Sequence, residues 1–132
     1  MRLNFTQSLI EAITPPDALS PAALAYLGDA VYELYLRTYY LSPAKRLQDY
    51  HSQVVERVRA ESQANFLKEL EPDLTLKERD ILRKGRNAVS QRPRRLAADI
   101  YQQATSLETL IGYLYLYDPQ RLNEILDKLL LD

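Results

Sequence analysis

The stretch Leu24-Ala25-Tyr26-Leu27-Gly28-Asp29-Ala30-Val31-Tyr32-Glu33 decides how the chain is read. Ser20-Pro21 opens a helix just before it: Ser is a favoured N-cap, and Pro fits the first turn, where its missing N–H has no partner to lose. Leu24, Leu27, Val31, Leu34 and Tyr35 recur at helical spacing, so one face is predicted to be buried. Gly28 and Asp29 interrupt that apolar run. Gly costs a helix interior about 1 kcal/mol relative to Ala. An ionised carboxylate beside a buried face costs more unless something pairs with it. Two adjacent breaches of the local rules point to a functional site, and Asp29 is the candidate holder of a divalent metal.

Outward from this helix, predicted over 21–41, the same signals recur. Residues 2–14 read as a short amphipathic helix with Phe5, Leu9, Ile10 and Ile13 on one side, ended by Thr14-Pro15-Pro16-Asp17. Ser42-Pro43 repeats the cap-plus-Pro signal and is expected to start a helix reaching towards Leu70, long enough to bend or break on the way. Glu71-Pro72-Asp73 stops it. Thr75-Leu76-Lys77-Glu78 is a capping box, and the helix it opens is expected to fade near Gly85. Arg86 to Pro93 has little apolar periodicity and reads as a basic loop. Leu96, Ile100, Ala104, Leu107, Ile111 and Leu114 make the longest apolar stripe and predict a core helix over about 94–117. Asp118-Pro119 opens a last helix carrying Leu122, Ile125, Leu126, Leu129 and Leu130. With no strand alternation, repeat or linker, the expectation is an all-α fold in a single domain over residues 1–132.

Composition narrows the chemistry. Hydrophobic residues make up 46% and charged residues 27%, which suits a packed globule rather than a disordered chain. The absence of Cys excludes disulfides and thiolate metal sites, and the single His51 excludes a multi-His zinc site. His51 reads as an ordinary helix residue. No apolar run reaches the ~20 residues of a membrane span, and the N-terminus lacks a signal-peptide core; a soluble cytoplasmic protein is expected. Net charge is −1, yet seven Lys or Arg and one acid fall between Arg79 and Arg95. A near-neutral chain with one concentrated basic stretch has a local binding face for nucleic acid.

Three constellations are candidates for chemistry. Asp29, Glu33 and Arg37 share a helix face at i, i+4, i+8, a pattern that a solvated Glu33–Arg37 pair explains equally well. Glu108 flanks the buried stripe of the 94–117 helix, with Ala104 and Gly112 one turn to either side; alone, it reads more readily as an edge-of-core Glu paired with Arg. Together, Asp29 and Glu108 are two carboxylates on core helices, enough for a Mg²⁺ site completed by waters and a phosphate oxygen. The third is the basic stretch: Lys84, Arg86, Asn87, Gln91, Arg92, Arg94 and Arg95 are residue types that contact phosphates and 2′-hydroxyls. No aromatic interleaves them, which favours a duplex backbone over stacked single strands.

With these residues in hand, the chain resembles the ribonuclease III catalytic domain, most closely its compact bacterial branch, Mini-ribonuclease III. "LAYLGDAVYE" at 24–33 is similar to the family's signature helix containing Leu-Gly-Asp-Ala-Val. "LETLIGYLYL" at 107–116 is similar to the second signature, "RKGRNAVS" at 83–90 to the Arg-Gly-Arg-Asn-Ala stretch of the compact branch, and "VRAESQA" at 58–64 to a further run of that branch. The resemblance implies an all-α endonuclease bundle of about seven helices. It implies a homodimer acting on double-stranded RNA with Mg²⁺, with Asp29 and Glu108 as catalytic metal ligands; Glu33 is this chain's own candidate to compensate, as a ligand or water-orienting group, for acids that the family has and this chain lacks. In conventional ribonuclease III two more acids stand where this chain has Ala25 and Thr105, so the number of metals stays open. The chain ends at Asp132 without an attached double-stranded RNA-binding domain, so duplex binding is expected from the catalytic dimer and its basic stretch. The implied substrate is the 23S ribosomal RNA precursor, with no organic cofactor and no membrane. The alternative is a non-catalytic double-stranded RNA-binding protein on the same fold; a helical interaction module would leave the basic stretch and Gly28-Asp29 unexplained.

Overall fold

The computed structural model describes residues 4–13, 19–89 and 97–129. A 3₁₀ turn at Asn4–Thr6 leads into α1 (Gln7–Glu11); α2 follows at Pro21–Tyr39, α3 at Leu47–Val58, α4 at Ala60–Leu70, α5 at Leu76–Asn87, α6 at Ala98–Tyr117 and α7 at Pro119–Leu129. Among the described residues these seven α-helices and two 3₁₀ turns, the second at Glu71–Asp73, are the regular structure, which is the expected all-α bundle. No described helix is long and apolar enough to cross a membrane.

Three of the four predicted helix starts form as read. The Ser20 hydroxyl accepts from the Ala23 N–H at 3.1 Å, and an Asp118 carboxylate oxygen accepts from the Arg121 N–H at 3.1 Å. Thr75 and Glu78 close their box, with Glu78 N–H on Thr75 Oγ1 at 3.1 Å and Thr75 N–H on Glu78 Oε1 at 3.0 Å. Glu78 is buried, and Arg121 meets it in a fork, Nε to Oε2 at 2.8 Å and an Nη to Oε1 at 3.0 Å, which ties α5 to α7. The guanidinium holds the Glu78 carboxyl below the usual carboxylate range.

α6 is the axis of the bundle. Its Leu107, Leu110 and Ile111 are fully buried, as are Tyr32 and Leu36 of α2 and Ile125 of α7. All three glycines of the chain lie where another helix touches α6. A Cβ on Gly28 would sit 1.8 Å from the Glu108 carbonyl oxygen, and one on Gly112 would sit 2.0 Å from the Leu24 carbonyl oxygen. α2 and α6 therefore run antiparallel with their backbones in contact. Gly85 brings α5 against α6, where a Cβ would sit 2.7 Å from Thr109 Oγ1 and 3.0 Å from the Ser106 Cα.

Several boundaries differ from the sequence expectation. α5 does not fade at Gly85 but continues to Asn87, because Gly85 is the contact with α6; Arg86 and Asn87 are therefore helical, not loop. Ser42-Pro43 does not start a helix. α3 begins at Leu47, and the intervening turn is cross-linked by Lys45 Nζ to the Tyr40 carbonyl at 2.8 Å and the Tyr50 hydroxyl to the Leu41 carbonyl at 3.1 Å. The predicted long helix breaks at Arg59, whose ψ of 146° separates α3 from α4. α2 ends at Tyr39, two residues short of the predicted limit. Of the N-terminal apolar set only Ile10 and Ile13 reach the core; Phe5 and Leu9 are exposed, and the α-helix there is limited to Gln7–Glu11.

Candidate active site

The α2–α6 crossing sets the candidate site. Because Gly28 rests on the Glu108 carbonyl, the next residue on α2, Asp29, is brought beside the Glu108 side chain. Both line an open cleft of about 530 Å³. Ala25 and Tyr26 line its α2 wall, and Ala104 and Thr105 its α6 wall. Val58, Ala60 and Gln63 form the side at the α3–α4 break, and Ala88 and Val89, just past α5, form the rim. Small residues at 25, 104 and 88 keep the cleft open above the two acids. The glycine that broke the helical pattern is thus explained by packing, and the packing pairs the carboxylates.

The pair is electrostatically unusual. Burial pushes the Glu108 carboxyl up to about 8; the charge of Asp29 and a hydrogen bond shared with it act in the same direction, and a hydrogen bond from Gln63 partly opposes them. Among the described residues the partners of Glu108 are Asp29 and Gln63, not the arginine of the edge-of-core alternative. Two facing carboxylates, one only partly exposed, form a site that gains from a cation. The donors are all oxygen, as a hard divalent ion requires, and such an ion is commonly held by one or two carboxylates with the rest of its shell from water and phosphate. The residues present therefore fit Mg²⁺. Among the described residues no cluster of three or more Asp, Glu or His side chains forms.

Glu33, the third candidate ligand, does not line the cleft. Its carboxylate pairs with the Arg37 guanidinium at 2.6 Å on an exposed face, the solvated-stripe arrangement. His51 is exposed and lines a separate groove between α2 and α3. Of the basic set, Lys84 pairs with Asp80 at 3.3 Å, Arg86 is half-buried and Asn87 is exposed, all on the last turn of α5. Gln91, Arg92, Arg94 and Arg95 lie outside the described residues. Since Ala88 and Val89 line the cleft, the basic stretch leaves α5 at the cleft rim.

Gln63 was not among the candidates read from sequence. Only 3% exposed, it donates from Nε2 to the Val58 carbonyl at 2.9 Å and to Glu108 Oε2 at 3.4 Å, and its buried Oε1 has no partner among the described residues. A buried unpaired acceptor costs about 1–3 kcal/mol. The signal available beforehand was a lone amide on the apolar face that Ala64, Phe66, Leu67 and Leu70 make of α4.

An antiparallel helix pair bearing two carboxylates over an open cleft is an arrangement that could hold a divalent metal beside a phosphodiester. The chain matches the family described as Ribonuclease III domain over residues 22–119, and it belongs to that family. Within it the relatives are more particular. The chain is 57% identical over 111 residues to the Mini-ribonuclease 3 of Thermosynechococcus vestitus, a match covering 84% of this chain and 74% of the relative. It is 52% identical over 120 residues to that of Synechocystis sp., covering 87% and 84%. The crystal structure of protein FN1578 from Fusobacterium nucleatum has the same fold, with a TM-score of 0.79 and 30% identity over 84% of this chain and 93% of that one.

Proposed function

We propose that this endoribonuclease of the ribonuclease III type cleaves double-stranded RNA with Mg²⁺ held by Asp29 and Glu108. The observation that carries the reading is the pairing of these carboxylates in one cleft by a backbone contact, with Glu108 pushed up to about 8. A divalent cation bound there lowers the pKa of water and offsets charge developing at the scissile phosphate. Asp29 and Glu108 would supply its protein oxygens, and Glu108 must give up its proton to do so. Thr105 and Gln63 would make the polar walls beside the phosphate. No protein nucleophile is needed.

Lys84, Arg86 and Asn87, with Gln91, Arg92, Arg94 and Arg95, would grip the backbone of an A-form duplex, which is recognised by shape and 2′-hydroxyls. A homodimer would set one cleft against each strand. In support of an interface on the Asp29 helix, Tyr26 of α2 is 85% exposed and Leu34 45%. The substrate is the 23S ribosomal RNA precursor and the compartment the cytoplasm. A second reading, duplex binding without cleavage, is favoured by one observation: Ala25 and Thr105, uncharged, line the cleft at positions where conventional ribonuclease III carries acids.

Cleavage of a long double-stranded RNA in Mg²⁺ tests the proposal, with Asp29→Asn and Glu108→Gln beside the wild type. The expected result is cutting by wild type, abolished by EDTA, and binding without cutting by both variants. Wild-type binding without cutting would establish the second reading. Unimpaired cutting by the variants would place the chemistry elsewhere.

A further inference from the structure

We propose that Gln63 is a positioning residue of this site, holding the Glu108 carboxylate in its metal-facing orientation. The inference rests on the cation reading of Asp29 and Glu108. Its starting point is the break between α3 and α4. The extended ψ at Arg59 interrupts the helical ladder, and the Gln63 amide takes the Val58 carbonyl at 2.9 Å. That bond settles which end of the amide is nitrogen, because the reverse assignment would set two acceptors against each other. The same NH₂ reaches Glu108 Oε2 at 3.4 Å, so Glu108 is tied through one amide to the corner where α3 becomes α4. Three elements are then joined at one side chain: α2 supplies Asp29, α6 supplies Glu108, and the α3–α4 corner restrains Glu108.

The amide oxygen points to a use beyond packing. Gln63 is 3% exposed and lines the cleft, and its Oε1 finds no donor among the described residues. An apolar side chain of the same length would fill the space without an unsatisfied acceptor. What the amide adds over such a side chain is its donor, and hydrogen bonds from outside the ligand shell orient metal ligands, here Glu108.

The test is a Mn²⁺ titration by calorimetry on the full chain without RNA, followed by kcat and KM on double-stranded RNA. Gln63→Met removes donor and acceptor at nearly constant volume. Its Mn²⁺ affinity is expected to fall about 10–100-fold, with a similar loss in kcat and an unchanged KM for the duplex. Gln63→Asn keeps both groups but draws them back by one methylene; a smaller loss, about 3–10-fold, is expected. It carries the test should circular dichroism show that Gln63→Met does not fold. A folded variant that binds Mn²⁺ as tightly as wild type overturns the inference, as does a raised KM with unchanged Mn²⁺ affinity, which would make Gln63 an RNA contact. If wild type itself takes up no Mn²⁺, the cation reading fails and Gln63 loses its role with it; the wild-type titration separates the two failures.

Discussion

Replacing Gly28 by Ala sets two physical effects against each other. Helix propensity alone makes Gly28→Ala stabilising by about 1 kcal/mol. The structure dictates the opposite. The new Cβ would lie 1.8 Å from the Glu108 carbonyl oxygen and 2.8 Å from the Gly112 nitrogen. Ordinary contact begins near 3.4 Å, so the helices must part by roughly 1.6 Å. The obstacle is backbone, itself held in the α6 ladder, and cannot rotate aside. Overpacking of this kind costs about 1–3 kcal/mol or more. With no flexible group to yield, the upper end applies, and subtracting the propensity gain leaves a net loss of about 2 kcal/mol. For a chain of this size that lowers Tm by roughly 6–10 °C. Urea unfolding followed by circular dichroism measures it. Gly85→Ala is the graded control: its nearest obstacle is a side-chain hydroxyl, Thr109 Oγ1 at 2.7 Å, so its loss should be smaller. A Gly28→Ala protein as stable as wild type, or more so, would refute the claim that this glycine exists for the crossing.

Two further outcomes follow from the buried charges. The folded Glu108 carboxyl, at about 8 against an ordinary 4.5, binds a proton that the unfolded chain has released, so in metal-free buffer its contribution to stability is full below pH 4.5 and is lost as pH rises towards 8. Asp29→Asn removes one cause of the shift and should flatten that fall; an equally steep urea midpoint against pH would contradict it. Arg121→Ala strands the buried Glu78 carboxylate and should cost about 3 kcal/mol in urea unfolding. A loss below about 1 kcal/mol would show that the fork is screened like an exposed ion pair.

What was legible in the sequence was local. Ser20-Pro21, Thr75 to Glu78 and Asp118-Pro119 act over three or four residues, and each cap stands where it was read. The apolar stripe of α6 was equally plain, because the central helix of a bundle is buried nearly all round. The helix breaks were harder. Nothing near Arg59 announces the turn, and Gly85 looks like a stop until Thr109 is seen against it. The candidate acids were found from position and resemblance, but the reason for their pairing was not, since a contact between residues 28 and 108 has no trace in either segment alone. Gln63 was passed over for the same cause: its partners, Val58 and Glu108, lie on two other helices.

The glycine crossing bears on how freely this chain can vary. Helices that meet through side chains shift when those side chains are exchanged, and distances across them drift with each substitution. Helices that meet backbone to backbone have a stop built into the main chain. The interior around Leu107, Leu110 and Ile111 can then be rebuilt with other apolar residues while the gap between Asp29 and Glu108 keeps its width. The working geometry is insured by two positions that carry no side chain, Gly28 and Gly112, and the rest of the core is left comparatively free to diverge.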